Sequence, residues 1–242
     1  MTDAVVLAGG RGRRLGALTH HRQKGTLRVE GDPIIIHVIR DLLATRSIGT
    51  VWVATGYRGT DVHAVLVENM GESLRRGKVV IIDAPNIIGE LSRLAYLVHV
   101  MPEVRSCLLT GVDTLLPSDL FSLLLGKAEK DGEDSLVFSL SSEIAIAPTH
   151  RLAKVANGTV RGYEPREVVC ETTDWYVDVG TRFIPARIMG TIKEMSVPPH
   201  TDPDDFFREL IVHEKFVRAM VFESPWRHFA RARDFSRKSS EK

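Results

Sequence analysis

Apolar residues in the first half of the chain fall into two alternating kinds of run. Short blocks bounded by Gly, Asp or Pro, such as "AVVLA", "TVWVAT", "KVVIID" and "SCLLT", read as buried strands. Between them, "IIIHVIRDLLA", "DVHAVLVENM", "ELSRLAYLVHVM" and "LFSLLLGKA" carry apolar positions at helical spacing. Strand and helix in alternation predict a parallel sheet with crossover helices on its faces. Pro33 opens the first long helix, and Pro117 places the start of another near Ser118.

After about Asp134 the rhythm changes. The runs "SLVFSL", "EIAIAP", "HRLAKVA", "TVRGYE" and "WYVDVGTRFI" read as strands joined by tight polar turns, which predicts a small antiparallel accessory lobe laid on the edge or end of the first sheet. Helical patterns follow at Ala186 to Met195 and Pro203 to Glu214, then the strand "FVRAMVFE" and a basic tail from Arg231 that reads as a frayed terminal helix. No internal repeat and no low-complexity segment interrupts this order.

Length and composition narrow the picture. A chain of 242 residues is long enough for one sizeable α/β core, so one domain is expected over residues 1–242. With 32 Lys and Arg against 31 Asp and Glu, the net charge of +1 argues against a general nucleic-acid binder. The basic cluster in "GGRGRRLGALTHHRQK" is therefore local and suits a small anion. Cys107 and Cys170 form no pairing pattern and no metal-ligand spacing, which points to a reducing compartment and no zinc site. The first residues run straight into a strand without a basic and apolar leader, and no apolar run has the length of a membrane span. These features lead to the expectation of a soluble cytoplasmic protein with no membrane partner.

A strand that ends in "LAGG" and passes into a glycine-rich turn sets backbone N–H groups at the carboxyl edge of a parallel sheet, where the ligands of such sheets bind. Two familiar phosphate loops fail here. A Walker A loop needs Lys after its last Gly, whereas Lys24 precedes Gly25; a dinucleotide loop needs an amphipathic helix after its glycines, and none follows Gly16. A third pattern fits: Leu7, Ala8, Gly9, Gly10, Gly12, Arg14 and Leu15, with Lys24 ten residues beyond Arg14 and Leu27 after it. This closely resembles the signature of the sugar-1-phosphate nucleotidyltransferases. The likeness continues through "VWVATGY", "PNIIGELSRLAY", "LLTGVDTLLPSDL", "VRGYEPRE", "DVGTRFIPARI" and "FVRAMVFESPWRHFARARDF". The short subfamily that acts on heptose or mannose phosphates is nearest in layout.

The resemblance implies a Rossmann-like, mostly parallel sheet flanked by helices, of the GT-A-like kind, with a nucleotide-binding half at 1–133 and a sugar-binding, accessory half at 134–242. It implies transfer of a nucleotidyl group, GTP being the nearest donor, to a heptose- or hexose-1-phosphate with release of pyrophosphate. Arg14 would then hold the β- and γ-phosphates, Lys24 the α-phosphate, and Asp113 a Mg²⁺ or Mn²⁺ ion. Leu7, Ala8, Gly9, Gly10, Arg11, Gly12, Arg13 and Gly89 would line the nucleotide, and Glu164, Arg166, Asp178 and Gly180 the acceptor. The layout also admits a homodimer.

Several positions depart from the family pattern. Gln23 replaces the proline before the active-site lysine, Arg13 replaces a Thr or Ser, and "YEPRE" lacks the usual lysine, a charge that Arg166 would replace without its geometry. The second metal carboxylate is also missing from its place. His228 occupies that slot in chain order, while Asp178 in "YVDVGT" matches the motif as a string. Imidazole is a poor Mg²⁺ ligand, and His228 reads equally well as an aromatic packed beside Trp226; Asp113 has a bland reading too, as a turn or helix-capping residue. His20 and His21 read as solvated, and His37, His63 and His99 as structural. Two rivals stay open: a cytidylyltransferase for phosphocholine or another phosphorylated alcohol, and a nucleotide-binding regulatory protein without turnover.

Overall fold

Ala4, Val5 and Val6 are wholly inaccessible to solvent. A strand buried on both faces belongs in the middle of a sheet covered by helices on each side. The computed structural model describes residues 1–84, 90–101, 103–132, 134–143, 150–165, 169, 173–194, 203–213 and 217–235. Its elements begin with β1 (Thr2–Leu7), β2 (Arg28–Val29), β3 (Asp32–Pro33), α1 (Ile34–Ala44), β4 (Ile48–Ala54), α2 (Gly59–Arg75) and β5 (Val79–Ile82). Next come α3 (Glu90–Val100), β6 (Cys107–Gly111), β7 (Thr114–Leu115), α4 (Leu120–Asp131) and β8 (Leu136–Ser141). The second half holds β9 (Arg151–Ala156), β10 (Thr159–Pro165), β11 (Trp175–Ile184), α5 (Ala186–Glu194), α6 (Pro203–His213), β12 (Val217–Phe222) and β13 (Arg227–His228).

Nine strands form one sheet in the order β5-β4-β1-β6-β11-β8-β12-β10-β9. β5, β4, β1 and β6 are mutually parallel, as the alternating pattern predicts. Side chains alternate across β1, so Ala4 and Val6 enter the core layer under α1, α2 and α4, with Ile35, Ile39, Leu66 and Leu124. Val5 enters the opposite layer under α3, α5 and α6, with Leu97, Ile192 and Phe207.

The second half carries the expected antiparallel extension on the end of the sheet. β11 runs antiparallel to β6 and β8, and β12 is parallel to β8, so β8 and β12 continue the direction of the main sheet within it. Serines disguised this: Ser139 and Ser141 sit at completely buried positions of β8, giving a central strand the look of a half-exposed one. The antiparallel part proper is the β9–β10 hairpin, turned by Asn157 and Gly158, both with positive φ. β9 also pairs with the start of β11, which closes β11, β8, β12, β10 and β9 into a ring of paired strands.

β11 belongs to both assemblies and bends between them. From Asp178 to Arg182 it advances four residues while β8 advances two, from Leu140 to Phe138. This wide bulge turns at Gly180, whose φ of +79° is left-handed. The expected helices near Ala186 and Pro203 are present as α5 and α6. The tail is a short 3-10 turn at Ala232–Phe235. The strand expected in "EIAIAP" and the ends of the chain beyond residue 235 lie outside the described residues. No helix among the described residues is long and apolar enough to cross a membrane.

Packing of α1 on the sheet sets a stability prediction. Ile39 is completely buried in that layer, so Ile39→Ala removes apolar contacts and leaves a cavity worth about 2–5 kcal/mol. Val67 on α2 is 63% exposed, and Val67→Ala is expected to stay within about 0.5 kcal/mol of the parent. Urea denaturation of both variants checks the contrast.

Candidate active site

The end of β1 delivers a loop held from both sides. Ala8 N–H donates to the Ala54 carbonyl at 2.8 Å, and Tyr57 N–H to the Gly9 carbonyl at 3.2 Å, so the loop is an extension of the sheet edge. Gly12 then turns with a φ of +62°, and a Cβ there would lie 3.2 Å from Lys24 Cβ and 3.1 Å from Thr19 Cγ2. Both the left-handed turn and the close approach require glycine. Gly9 has a different reason: a Cβ on it would fall inside the guanidinium of Arg93, which also stands 2.8 Å from where a Cβ on Gly56 would be. Arg93 is therefore cradled on two glycines at the sheet edge, and burial lowers its pKa.

Gln23 ties the lysine turn to this loop. Its Nε2 donates to the Ala8 carbonyl at 2.7 Å, its Oε1 accepts from Gly25 N–H, and its own N–H donates to Asp61 Oδ2 at 3.0 Å. Asp61 is in turn held by Arg58 Nε at 2.7 Å. A side chain that is completely buried and bonded at both ends of its amide does the work of a proline by other means, fixing the backbone on which Lys24 stands. Lys24 Nζ reaches Asp113 Oδ2 at 2.6 Å.

Asp113 follows β6 and precedes β7, at the carboxyl edge of the sheet. β7 pairs with β13 so that Thr114 faces His228, and Phe229 N–H donates to the Asp113 carbonyl at 2.8 Å. His228 Nε2 thereby stands 3.2 Å from Asp113 Oδ2. Burial alone would raise the Asp113 pKa, but the Lys24 ammonium and the His228 imidazole hold it well below the usual carboxylate range. The His228 ring is crossed by His150 at 4.3 Å between centroids and lies nearly parallel to Trp226 at 6.5 Å. Trp226 Nε1 donates to Ser141 Oγ at 2.9 Å, which gives the buried serine of β8 its partner. Burial, aided by the neighbouring His228, pushes the His150 pKa down to about 4.

These groups line a cavity of about 690 Å³. Of the expected site residues, Leu7, Gly10, Arg14, Lys24, Asp113, Asp178, Gly180 and His228 are brought together there. Ala8, Gly9 and Gly12 support its rim through the contacts above. Arg11 lies over the Tyr57 ring at 5.5 Å, and Arg13 is exposed on the 3-10 turn at Arg13–Thr19. Glu164 does not line the cavity: along β10, alternation turns Tyr163 and Pro165 toward it and leaves Glu164 beside Arg208 of α6, at 3.5 Å. Gly89 and Arg166 lie outside the described residues.

Of the two candidates for a second metal ligand, only His228 stands beside Asp113 in the described contacts. Asp178 is spent on the bulge, where Oδ1 accepts from Gly180 N–H at 2.9 Å and Oδ2 accepts from Tyr163 Oη at 2.6 Å and pairs with Arg182. Arg182 lies between the rings of Phe138 and Phe207, at 4.8 and 4.3 Å. An all-oxygen Mg²⁺ site is what the resemblance implies. The pair brought together is one carboxylate oxygen and one imidazole nitrogen, which fits a transition-metal dication better than Mg²⁺.

Sequence reasoning missed Arg93, His150, Arg151, Tyr163 and Arg182, all of which line the cavity. Arg93 and Arg182 did leave a trace, since each places a charge at a position that the apolar pattern of its element marks as buried. His37, His63 and His99 are structural as read, bonded to the Val29 carbonyl, Asp83 and the Ala95 carbonyl. Cys107 is a core residue whose thiol is pushed up to about 12 by burial.

Comparison with known proteins adds an independent line. The family model described as the MobA-like NTP transferase domain matches residues 4–171. No curated protein sequence matches the chain. Among solved structures, a protein of Bacillus anthracis assigned as a glucose-1-phosphate thymidylyltransferase shares 16% identity over 98% of this chain and 93% of its own, with a TM-score of 0.80. The inositol-1-phosphate CTP transferase from T. maritima shares 15% identity over 97% of this chain and 91% of its own, with a TM-score of 0.77. At that identity the two establish a shared fold, α/β with a central sheet. The family model reaches further, because its match spans well over half of the chain, and by that match the chain belongs to the MobA-like NTP transferase domain family of nucleotidyltransferases.

Proposed function

We propose that the protein transfers a nucleotidyl group from a nucleoside triphosphate to a sugar-1-phosphate. The observation that carries this reading is the Lys24–Asp113 pair at 2.6 Å, set under the glycine loop and opening on the same cavity as Arg14. A phosphate oxygen of the acceptor forms the new bond to the α-phosphorus while the α–β bridging oxygen leaves with pyrophosphate. Two mutually repelling anions must be brought together, so the protein's task is positioning and charge neutralisation. Loop N–H groups and Arg14 hold the β- and γ-phosphates, and the Lys24 ammonium stabilises charge that develops on the α-phosphate. A divalent cation on Asp113 supplies further neutralisation of the phosphates when bound.

The cavity is lined beyond the glycine loop by Arg151, Tyr163 and Arg182, which we assign to the acceptor. Such a lining suits a phosphorylated polyol and repels a quaternary ammonium, which favours a sugar phosphate over phosphocholine. Both structural relatives named above are described by acceptors of that kind, a hexose-1-phosphate and an inositol-1-phosphate. For the donor we keep GTP, and for the acceptor a heptose- or hexose-1-phosphate, on the likeness to the short guanylyltransferases.

A screen of common triphosphates against sugar-1-phosphates, read by pyrophosphate release, tests the reaction. Triphosphate binding by calorimetry with no turnover in any combination would refute it in favour of the regulatory reading. Lys24→Ala is expected to lower kcat by about 10²- to 10³-fold with unchanged circular dichroism; unaltered turnover in that variant removes Lys24 from the reaction. Gln23→Leu keeps the volume but leaves the Ala8 carbonyl and Gly25 N–H without their partner, at about 1–3 kcal/mol each. A lower unfolding midpoint together with a fall in kcat/KM is the expected outcome, measured by denaturation and steady-state kinetics.

A further inference from the structure

His228 is the residue to which the proposed reaction gives no part. The β7–β13 ribbon fixes it opposite Thr114, and the bond from Phe229 N–H to the Asp113 carbonyl at 2.8 Å holds the ribbon in register. Its side chain and that of Asp113 are sheltered yet reach the cavity, at 14% and 18% exposure. His150 crosses its ring at 4.3 Å and Trp226 flanks it at 6.5 Å. The imidazole is thus presented in one orientation, as a preorganised ligand has to be.

We infer that Asp113 and His228 form the protein half of a cation site that prefers a first-row transition-metal dication to Mg²⁺. The inference rests on the triphosphate site proposed above. Dications of this size lie about 2.1 Å from imidazole nitrogen and carboxylate oxygen. An ion at that distance from two atoms 3.2 Å apart subtends an angle of about 100° between them, close to that of adjacent ligands in a tetrahedral or octahedral shell.

The nitrogen donor sets the preference. Mg²⁺ demands oxygen ligands at near-ideal octahedral geometry, whereas imidazole binds the later dications with increasing strength along the first row. No group of three His, Cys, Asp or Glu arranged to hold a metal is found among the described residues. The remaining positions of the shell therefore fall to phosphate oxygens and water. Lys24 stands on the same carboxylate oxygen, at 2.6 Å, and its positive charge weakens binding of a bare cation. The site accordingly takes its cation more tightly when phosphate oxygens are present.

Pulsed EPR of the full chain with Mn²⁺ and inorganic tripolyphosphate tests this. Directly coordinated imidazole imprints ¹⁴N modulation on the Mn²⁺ signal, and that modulation is expected in the parent and absent in His228→Asp. In competition titrations with tripolyphosphate present, the parent is expected to bind Mn²⁺ at least about tenfold more tightly than Mg²⁺, with the ratio falling severalfold in His228→Asp. Bound Mn²⁺ without nitrogen modulation in the parent, equal affinity for the two ions, or no Mn²⁺ binding overturns the inference; the parent signal decides even if the variant does not fold. Pyrophosphate release is scored separately. Turnover without nitrogen modulation removes the metal inference and leaves the reaction, while nitrogen modulation without turnover under any dication removes the reaction and leaves the site.

Discussion

The carboxyl edge of the sheet is organised around one half-buried carboxylate. Asp113 is anionic in a place that desolvates it, and it stays so because a lysine and a histidine meet on one of its oxygens. Each partner arrives from a different part of the chain and brings a structural requirement with it. Lys24 needs the turn that Gln23 fastens to the glycine loop. His228 needs the two-residue ribbon against β7 and the ring stack with His150 and Trp226. The constraint thus joins the first thirty residues, the middle of the sheet and the end of the chain in a single electrostatic unit.

That dependence explains which parts of the molecule are legible in the sequence. β1, β4, β5 and β6 are readable because each carries a short apolar run between turn residues, buried most fully in β6. Arg14, Lys24 and Asp113 are readable because short stretches of chain with a fixed spacing bring them to one cavity at the sheet edge. β8 is harder, since its serines are buried among apolar neighbours and the partner of Ser141, the indole of Trp226, lies far away in the chain. Gln23 looks like a defect in a motif until the loop is folded around it. Arg93 becomes meaningful only beside Gly9 and Gly56, where the glycines make room for a guanidinium.

The far wall of the cavity follows a different logic. A bulge in β11 places Val179 and Gly180 on the cavity, and Asp178, Arg182 and Tyr163, which line it too, brace the bulge through their mutual bonds. Bulges of this sort re-aim side chains at a strand's functional end. Asp178 matches a metal-binding string, yet its oxygens serve the backbone and side chains of the bulge. Those partners come from β10 and from further along β11, and the letters of the motif do not show them.

The closed ring of β11, β8, β12, β10 and β9 has a consequence for how the molecule meets its neighbours. The last strand, β9, folds back to pair with both β10 and β11, so it is not left as an open edge. At the opposite end of the sheet, β5 has an unpaired edge that is only 4 residues long. Short edges are poor templates for strand addition. The two ends of the nine-stranded sheet, one folded back and one short, thus offer little template for recruitment of other chains.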